Sequence, residues 1–111
     1  MTIVEEIKKL KEEKDAVILA HYYVRPEVQE IADYIGDSFY LSKVATKLKE
    51  KTIVFCGVSF MGESAKILNP KKTVLMPDMN ADCPMAHMAE IETIKKVRSE
   101  YDDLAVVCYI N

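Results

Sequence analysis

The stretch that decides the fold is Ala16-Val17-Ile18-Leu19-Ala20, an unbroken apolar run that ends in His21-Tyr22-Tyr23. A short run without polar alternation predicts a strand that is covered on both faces, as in parallel sheets. Similar runs follow at residues 52–58, 73–76 and 104–110, and helical patterns separate them. Because strands and helices alternate, the sequence predicts parallel βαβ units. We expect an α/β protein, a three-layer αβα sandwich with a four-stranded parallel sheet.

Capping signals and apolar periodicity place helices before, between and after these strands. The second helix is predicted over residues 28–35, with Gly36 at its end as is typical of helix C-termini. Asp37 or Ser38 can cap the third helix. The other predicted helices begin near Thr2 (with Glu5 as a capping box), Ser59 and Ile91, and the longest irregular segment is 79–87. We find no internal repeat, so residues 1–111 are predicted to form a single domain.

Composition excludes several classes of partner. Half of the 111 residues are hydrophobic, which is enough for a core, and the formal net charge is −3. A mixed-sign, slightly acidic surface argues against nucleic acid as a partner. The sequence has neither an apolar run long enough for a bilayer nor the basic start of a signal peptide. We therefore expect a cytoplasmic location and no membrane partner.

The three cysteines stand in different contexts. An odd count in so short a chain fits a disulfide framework poorly. Cys56 and Cys108 lie inside apolar runs, where we expect small buried side chains. Cys83 lies in a polar stretch beside Pro84, where its thiol is predicted to be accessible. A lone thiol there is incidental, a nucleophile or one metal ligand, and the spacing alone leaves these uses open.

Polar residues follow each predicted strand, and parallel strands bring their carboxyl ends to one edge of a sheet, where ligands bind. Each residue also has a plain structural explanation: His21 as a hydrogen-bonded strand end, Tyr22 or Tyr23 as core packing, and Asp37 and Ser38 as helix caps. With three glycines and no glycine-rich phosphate loop, a nucleotide-binding Rossmann unit is disfavoured. The candidates at this edge are His21, Tyr23, Gly57, Ser59, Asp78, Cys83 and Asn111.

Several segments, in order and spacing, closely resemble one enzyme family. They are Ile18–Tyr23, Arg25–Asp33, Gly36–Ser38, Val54–Val58, Phe60–Met61, Glu63–Pro70, Pro77–Asp78, Cys83–Ala86 and Tyr109–Asn111. Together they resemble the opening part of quinolinate synthase, and the resemblance extends over essentially the whole chain. Tyr22 departs from the asparagine that is common at its position.

The resemblance implies an activity and a cofactor. Members of this family condense iminoaspartate with dihydroxyacetone phosphate to quinolinate, the precursor of NAD. They have three homologous αβα domains, each of which contributes one cysteine to a four-iron, four-sulfur cluster that acts as a Lewis acid. This chain then corresponds to the first domain.

The family's residues carry over position by position. Cys83 matches a cluster ligand, and His21 and Tyr23 match catalytic residues that also hold the substrate. The other matched substrate-binding positions are Asp37, Ser38, Tyr109 and Asn111. Cys56 and Cys108 do not match cluster positions.

The chain's length leaves three interpretations open. It is a fragment or split domain of the enzyme, inactive alone and completed by the other two domains. Alternatively, three copies assemble so that three Cys83 thiolates meet at one axis. A different class is a stand-alone, non-catalytic module that binds a small molecule or phosphate at the same edge.

Overall fold

The computed structural model describes residues 1–108. Within them four parallel strands form one sheet, in the order β2-β1-β3-β4, where β1 is Ala16–His21, β2 is Tyr34–Gly36, β3 is Thr52–Cys56 and β4 is Thr73–Leu75. The helices are α1 (Ile3–Glu13), α2 (Pro26–Ile31), α3 (Ser38–Ala45), α4 (Ser59–Leu68) and α5 (Ile91–Glu100), with a 3₁₀ turn at Pro84–His87. The predicted α/β class with a four-stranded parallel sheet is confirmed.

Alternation along the central strands divides the sheet into two faces. On one face Leu19 and Phe55, which pair in register, are completely buried against α3 and α4. On the other face Ile18 and Val54, also paired, look towards α1 and α2 across a cavity. The buried cluster on the first face comprises Val17, Leu19, Leu41, Ala45, Ile53, Phe55, Met61 and Ala65. Burial of these side chains supplies most of the hydrophobic stabilisation.

The second predicted helix is wrong at its C-terminal end. The helix stops at Ile31, and residues 34–36 form an edge strand instead. Asp33 causes the change, because its backbone N–H donates to Ile18 O and its carboxylate accepts the Ile18 N–H, both at 2.8 Å. Gly36 therefore ends a strand and not a helix. Local periodicity could not reveal a pairing with a strand so far away in sequence.

The predicted strand over residues 104–110 is also wrong in the part that can be described. Residues 104–108 are not in a strand, and Val107 is 93% exposed. Tyr109 and Ile110 lie outside the described residues. The preceding α5 has no buried residue and packs little against the sheet. The radius of gyration is 17.0 Å, compared with about 13 Å for a compact domain of this length.

A short internal likeness links the two ends of the chain, although we expected no repeat. The sequence Ile7-Lys8-Lys9-Leu10-Lys11 in α1 corresponds to Ile94-Lys95-Lys96-Val97-Arg98 in α5. Each helix is followed by a turn and an apolar run. The first run becomes the central strand β1, whereas residues 104–108 of the second run are not in a strand.

Candidate functional site

The carboxyl ends of the strands open into a cavity of about 840 Å³. The cavity extends along the face of the sheet that carries Ile18 and Val54, and most of its wall is apolar. Polar side chains gather at its carboxyl end, as expected for an open parallel sheet. Of the predicted site residues, His21, Tyr23, Ser38, Asp78 and Cys83 line it, and so does Gly57. This cavity is the candidate site.

The turn after β1 is fixed by main-chain and amide hydrogen bonds. The Tyr22 N–H donates to Gly36 O at 3.1 Å, which continues the sheet pairing by one residue. The side-chain amide of Gln29, in α2, donates to the carbonyl oxygens of Tyr22 and Val24, each at 2.9 Å. A single side chain thus satisfies two carbonyl groups that the turn leaves unpaired.

His21 is held in one tautomer at the mouth of the cavity. Its Nδ1 accepts the backbone N–H of Tyr23 at 3.1 Å, so in the neutral ring the proton is on Nε2. Burial lowers the pKa of His21 from its ordinary value, and the nearby Asp37 carboxylate opposes this only in part. His21 is therefore neutral at pH 7, and its Nε2–H can donate to a ligand.

Tyr22 and Tyr23 form an aromatic cluster with His21. The His21 and Tyr22 rings stack with centroids 4.6 Å apart, and the Tyr23 ring is tilted against both. The expectation that one tyrosine packs into the core is wrong, because Tyr22 is 48% and Tyr23 79% exposed. The Tyr22 hydroxyl donates to the Tyr23 oxygen at 3.4 Å, and this bond is the main cause that raises the pKa of Tyr22. The Tyr23 hydroxyl proton remains available for a ligand.

The N-terminus of α3 approaches the same cavity. Asp37 is its N-cap, as predicted, with a carboxylate oxygen that accepts the Tyr40 N–H at 2.7 Å. Ser38, the first residue of α3, is only 3% exposed and lines the cavity. Gly36 leaves room for the Tyr40 ring just before this cap, because a Cβ there would overlap the ring. The backbone N–H groups of the first turn make this a favourable position for an anion.

Cys83 is presented by a loop that is tied to α4. The expected Ser59 cap is not formed: Val58 is the N-cap, and the Ser59 N–H instead donates to Ala81 O at 2.9 Å. Within the loop the Asp82 carboxylate accepts the Cys83 N–H at 2.9 Å and contacts His87 Nε2 at 2.8 Å. These two hydrogen bonds, the His87 bond first, lower the pKa of Asp82. The Cys83 thiol is partly exposed, as predicted.

The other two cysteines differ from one another. Cys56, at the end of β3, is partly buried, and burial raises the pKa of its thiol. Cys108 is exposed, so its predicted burial is wrong. The prediction rested on a strand at residues 104–110 that residues 104–108 do not form.

The cavity does not include every predicted site residue. Asp37 does not line it; this carboxylate caps α3 and acts on His21 through its charge. Tyr109 and Asn111 lie outside the described residues 1–108. Two further residues take part that sequence reasoning did not single out, Gln29 through the turn and Arg25 in the cavity wall. The only available signal was their place in the Arg25–Asp33 segment.

The donor set at this site can hold only part of a metal centre. Among residues 1–108, no group of three or more histidine, cysteine or acidic side chains is arranged to hold a metal ion. Cys83 is one soft thiolate ligand, partly exposed and facing a cavity with room beside it. An iron–sulfur cluster needs three or four such ligands. The described residues therefore fit the contribution of one ligand and do not by themselves fit a complete centre.

The fold and the candidate site define the class: an α/β protein whose parallel sheet opens at its carboxyl edge into a cavity lined by polar side chains and the Cys83 thiol. The sequence model of a family described as quinolinate synthetase A protein matches residues 5–111. The chain belongs to this family.

Curated relatives named quinolinate synthase are similar to nearly the whole chain. One from Fusobacterium nucleatum is 71% identical over 107 residues, 96% of this chain and 36% of that protein. One from Clostridium perfringens is 61% identical over all 111 residues, 37% of that protein. One from Methanosarcina barkeri is 55% identical over 109 residues, 98% of this chain and 36% of that protein. The chain spans about a third of the length of the curated relatives it matches.

No helix within residues 1–108 is both long enough and apolar enough to cross a membrane.

Proposed function

We propose that this chain is the first domain of a quinolinate synthase, the enzyme that condenses iminoaspartate with dihydroxyacetone phosphate in NAD biosynthesis. The observation that carries the proposal is the convergence of His21, Tyr23, Ser38 and Cys83 on one cavity. These residues come from three separate parts of the sequence, since His21 and Tyr23 share one. The family membership and the high identity to proteins of that name support the same activity.

The side chains suit the proton transfers of such a condensation. Neutral His21 donates a hydrogen bond from Nε2 to a substrate oxygen and stabilises the charge that develops there. Tyr23, whose oxygen already accepts the Tyr22 proton, donates its own hydroxyl proton to the substrate. Ser38 and the N-terminus of α3 bind a phosphate or carboxylate. Asp37 caps α3, and Tyr109 and Asn111 complete the substrate contacts.

Cys83 is proposed as one ligand of a four-iron, four-sulfur cluster whose other ligands come from outside the described residues. When bound, such a cluster would supply Lewis acidity to the substrate. The remaining domains of the enzyme are the preferred source of the other thiolates. Three copies of this chain would supply the same ligand count but not the distinct side chains of the other domains. A cytoplasmic location fits thiols at Cys56 and Cys83 that are not in disulfides.

Metal analysis and activity of the complete enzyme test the proposal together. Replacing Cys83 by serine should abolish the stoichiometric iron content, the visible cluster absorption and quinolinate formation. The matched Cys56→Ser variant should retain all three. The isolated 111-residue chain should bind no stoichiometric cluster after anaerobic reconstitution. A Cys83→Ser enzyme with a full cluster would refute the assignment.

A non-catalytic module for small molecules or phosphate is the second candidate, since the described residues alone form the cavity. It predicts that the 111-residue chain binds dicarboxylates or triose phosphates in calorimetry, and that His21→Ala or Ser38→Ala abolishes this binding. Absence of heat with both ligand classes would remove this candidate.

A further inference from the structure

Arg25 lies where the turn after β1 meets α2, and its backbone is fixed there. It is the N-cap residue of α2, and its carbonyl oxygen accepts the N–H groups of Val28 and Gln29 at 3.0 and 3.1 Å. The side chain takes no part in this cap. Instead it lines the same cavity as His21 and Ser38.

The guanidinium group of Arg25 has no local partner. Within residues 1–108 it makes neither a hydrogen bond nor an ion pair. A guanidinium has five N–H donors in a planar fork that matches a carboxylate or a phosphate. An arginine placed in a cavity wall without such a partner can bind one that arrives from solution.

The other basic side chains of the cavity wall are already paired, are uncharged or lie far from the carboxyl end of the cavity. Lys11 is paired with Asp33 at 2.6 Å, and both side chains are about three-quarters buried. Lys14 precedes β1 and therefore lies towards the amino edge of the sheet. His21 is neutral at pH 7 because burial lowers its pKa. Among the described residues, Arg25 is thus the one permanent positive charge at the carboxyl end of the cavity.

We propose that Arg25 binds the anionic group, phosphate or carboxylate, of a substrate that occupies this cavity. The inference rests on the proposed function, in which both substrates carry such groups. The hydroxyl of Ser38 and the N-terminus of α3 border the cavity but carry no full charge, so the guanidinium supplies the charge that a dianion requires. Arg25 is a substrate-binding residue and takes no part in proton transfer.

Steady-state kinetics of the complete enzyme that contains this chain test the role of Arg25. In Arg25→Gln, the Michaelis constant for one of the two substrates should rise roughly ten- to hundredfold, with kcat changed by less than about threefold. Arg25→Lys keeps the charge without the fork and should recover part of the affinity. Arg98→Gln, a change in the outlying α5, is the matched control and should behave as the parent. Whether the affected substrate is dihydroxyacetone phosphate or iminoaspartate identifies the anionic group as phosphate or carboxylate.

The outcomes separate the two proposals. An active parent whose Michaelis constants are both unchanged in Arg25→Gln overturns the role of Arg25 and leaves the proposed function intact. A fall in kcat alone also overturns it, because an anion-binding residue must affect substrate affinity. A parent with cluster but without activity overturns the proposed function, and the role of Arg25 with it. If circular dichroism shows that Arg25→Gln does not fold, the Michaelis constants of Arg25→Lys are compared with those of the parent. A ratio near one for both substrates overturns the anion-binding role of Arg25.

Discussion

The backbone N–H of Ser59 donates to the carbonyl oxygen of Ala81 at 2.9 Å. This bond joins the first residue of α4 to the loop that carries Cys83. It satisfies one of the N–H groups that every helix leaves unpaired at its start. The position of the thiol thus depends on a main-chain donor in another element.

A proline at residue 59 tests this connection. Proline suits the first position of a helix, and Val58 already has the extended conformation that it requires. Ser59→Pro should therefore keep α4 but remove the donor, so the loop loosens and iodoacetamide alkylates Cys83 several-fold faster. Ser59→Ala retains the N–H and serves as the control. Equal alkylation rates in both variants, measured by peptide mass spectrometry, would show that the bond does not hold the loop.

Lowering the pH should destabilise the chain through His21. Folding lowers the pKa of His21 from its unfolded value of 6.5. At a pH between the folded and the unfolded pKa, the unfolded chain therefore binds more protons than the folded chain. The stability gained from neutral His21 is present above pH 6.5 and is lost as the pH falls through the folded pKa. Because the ring is partly solvated, we expect an effect below about 1 kcal/mol.

Urea unfolding at pH 7.5 and 5.5 measures this effect of His21. The parent should lose more stability between the two pH values than His21→Gln, which keeps every other titrating group. A larger loss in the variant would contradict the direction of the shift.

Asp33 should matter more than a surface carboxylate. It accepts the Ile18 N–H at 2.8 Å and the Lys11 ammonium at 2.6 Å, between a central strand and two helices. Asp33→Ala leaves both donors unpaired, and we expect a loss of about 1–3 kcal/mol in the free energy of unfolding. The exposed Asp102→Ala should change it by less than about 0.5 kcal/mol. Chemical denaturation of both variants gives the comparison, and equal stabilities would refute it.

Gly36 should tolerate an added methyl group only if the Tyr40 ring moves. An added Cβ overlaps the Tyr40 ring, so Gly36→Ala should lose about 1–3 kcal/mol of stability. In a Tyr40→Ala background the same change should cost much less. A thermal unfolding series of the four proteins measures the coupling, and additive effects would exclude the overlap as the cause.

The sequence predicted those features of the fold that depend on neighbouring residues. The capping box of Thr2 and Glu5, the Asp37 cap and the apolar strands β1 and β3 are all present. Features that depend on distant pairing were missed. Residues 34–36 have a helical pattern locally but pair with β1. Residues 104–108 have a strand pattern but are not in a strand.

The site residues also fall into two groups, those that the local sequence could predict and those that depend on the folded structure. His21 and Cys83 could be placed at the carboxyl edge because each follows an apolar run, and parallel strands end together. Arg25 and Gln29 could not, because their roles depend on where α2 begins and on which carbonyl groups the turn leaves unpaired. Asp37 was correctly predicted as a helix cap, but its carboxylate does not line the cavity.

The two hydrogen bonds from Gln29 have a consequence for the thermodynamics of ligand binding. Ordering a mobile side chain or loop on association costs about 0.5–1.5 kcal/mol for each group that loses its freedom. The amide of Gln29 has already immobilised residues 22–24 before any ligand arrives. The entropic cost of ordering this turn is therefore part of the free energy of folding and not of ligand binding. Gln29→Ala should weaken ligand binding at Tyr23 even though Gln29 is not part of the cavity wall.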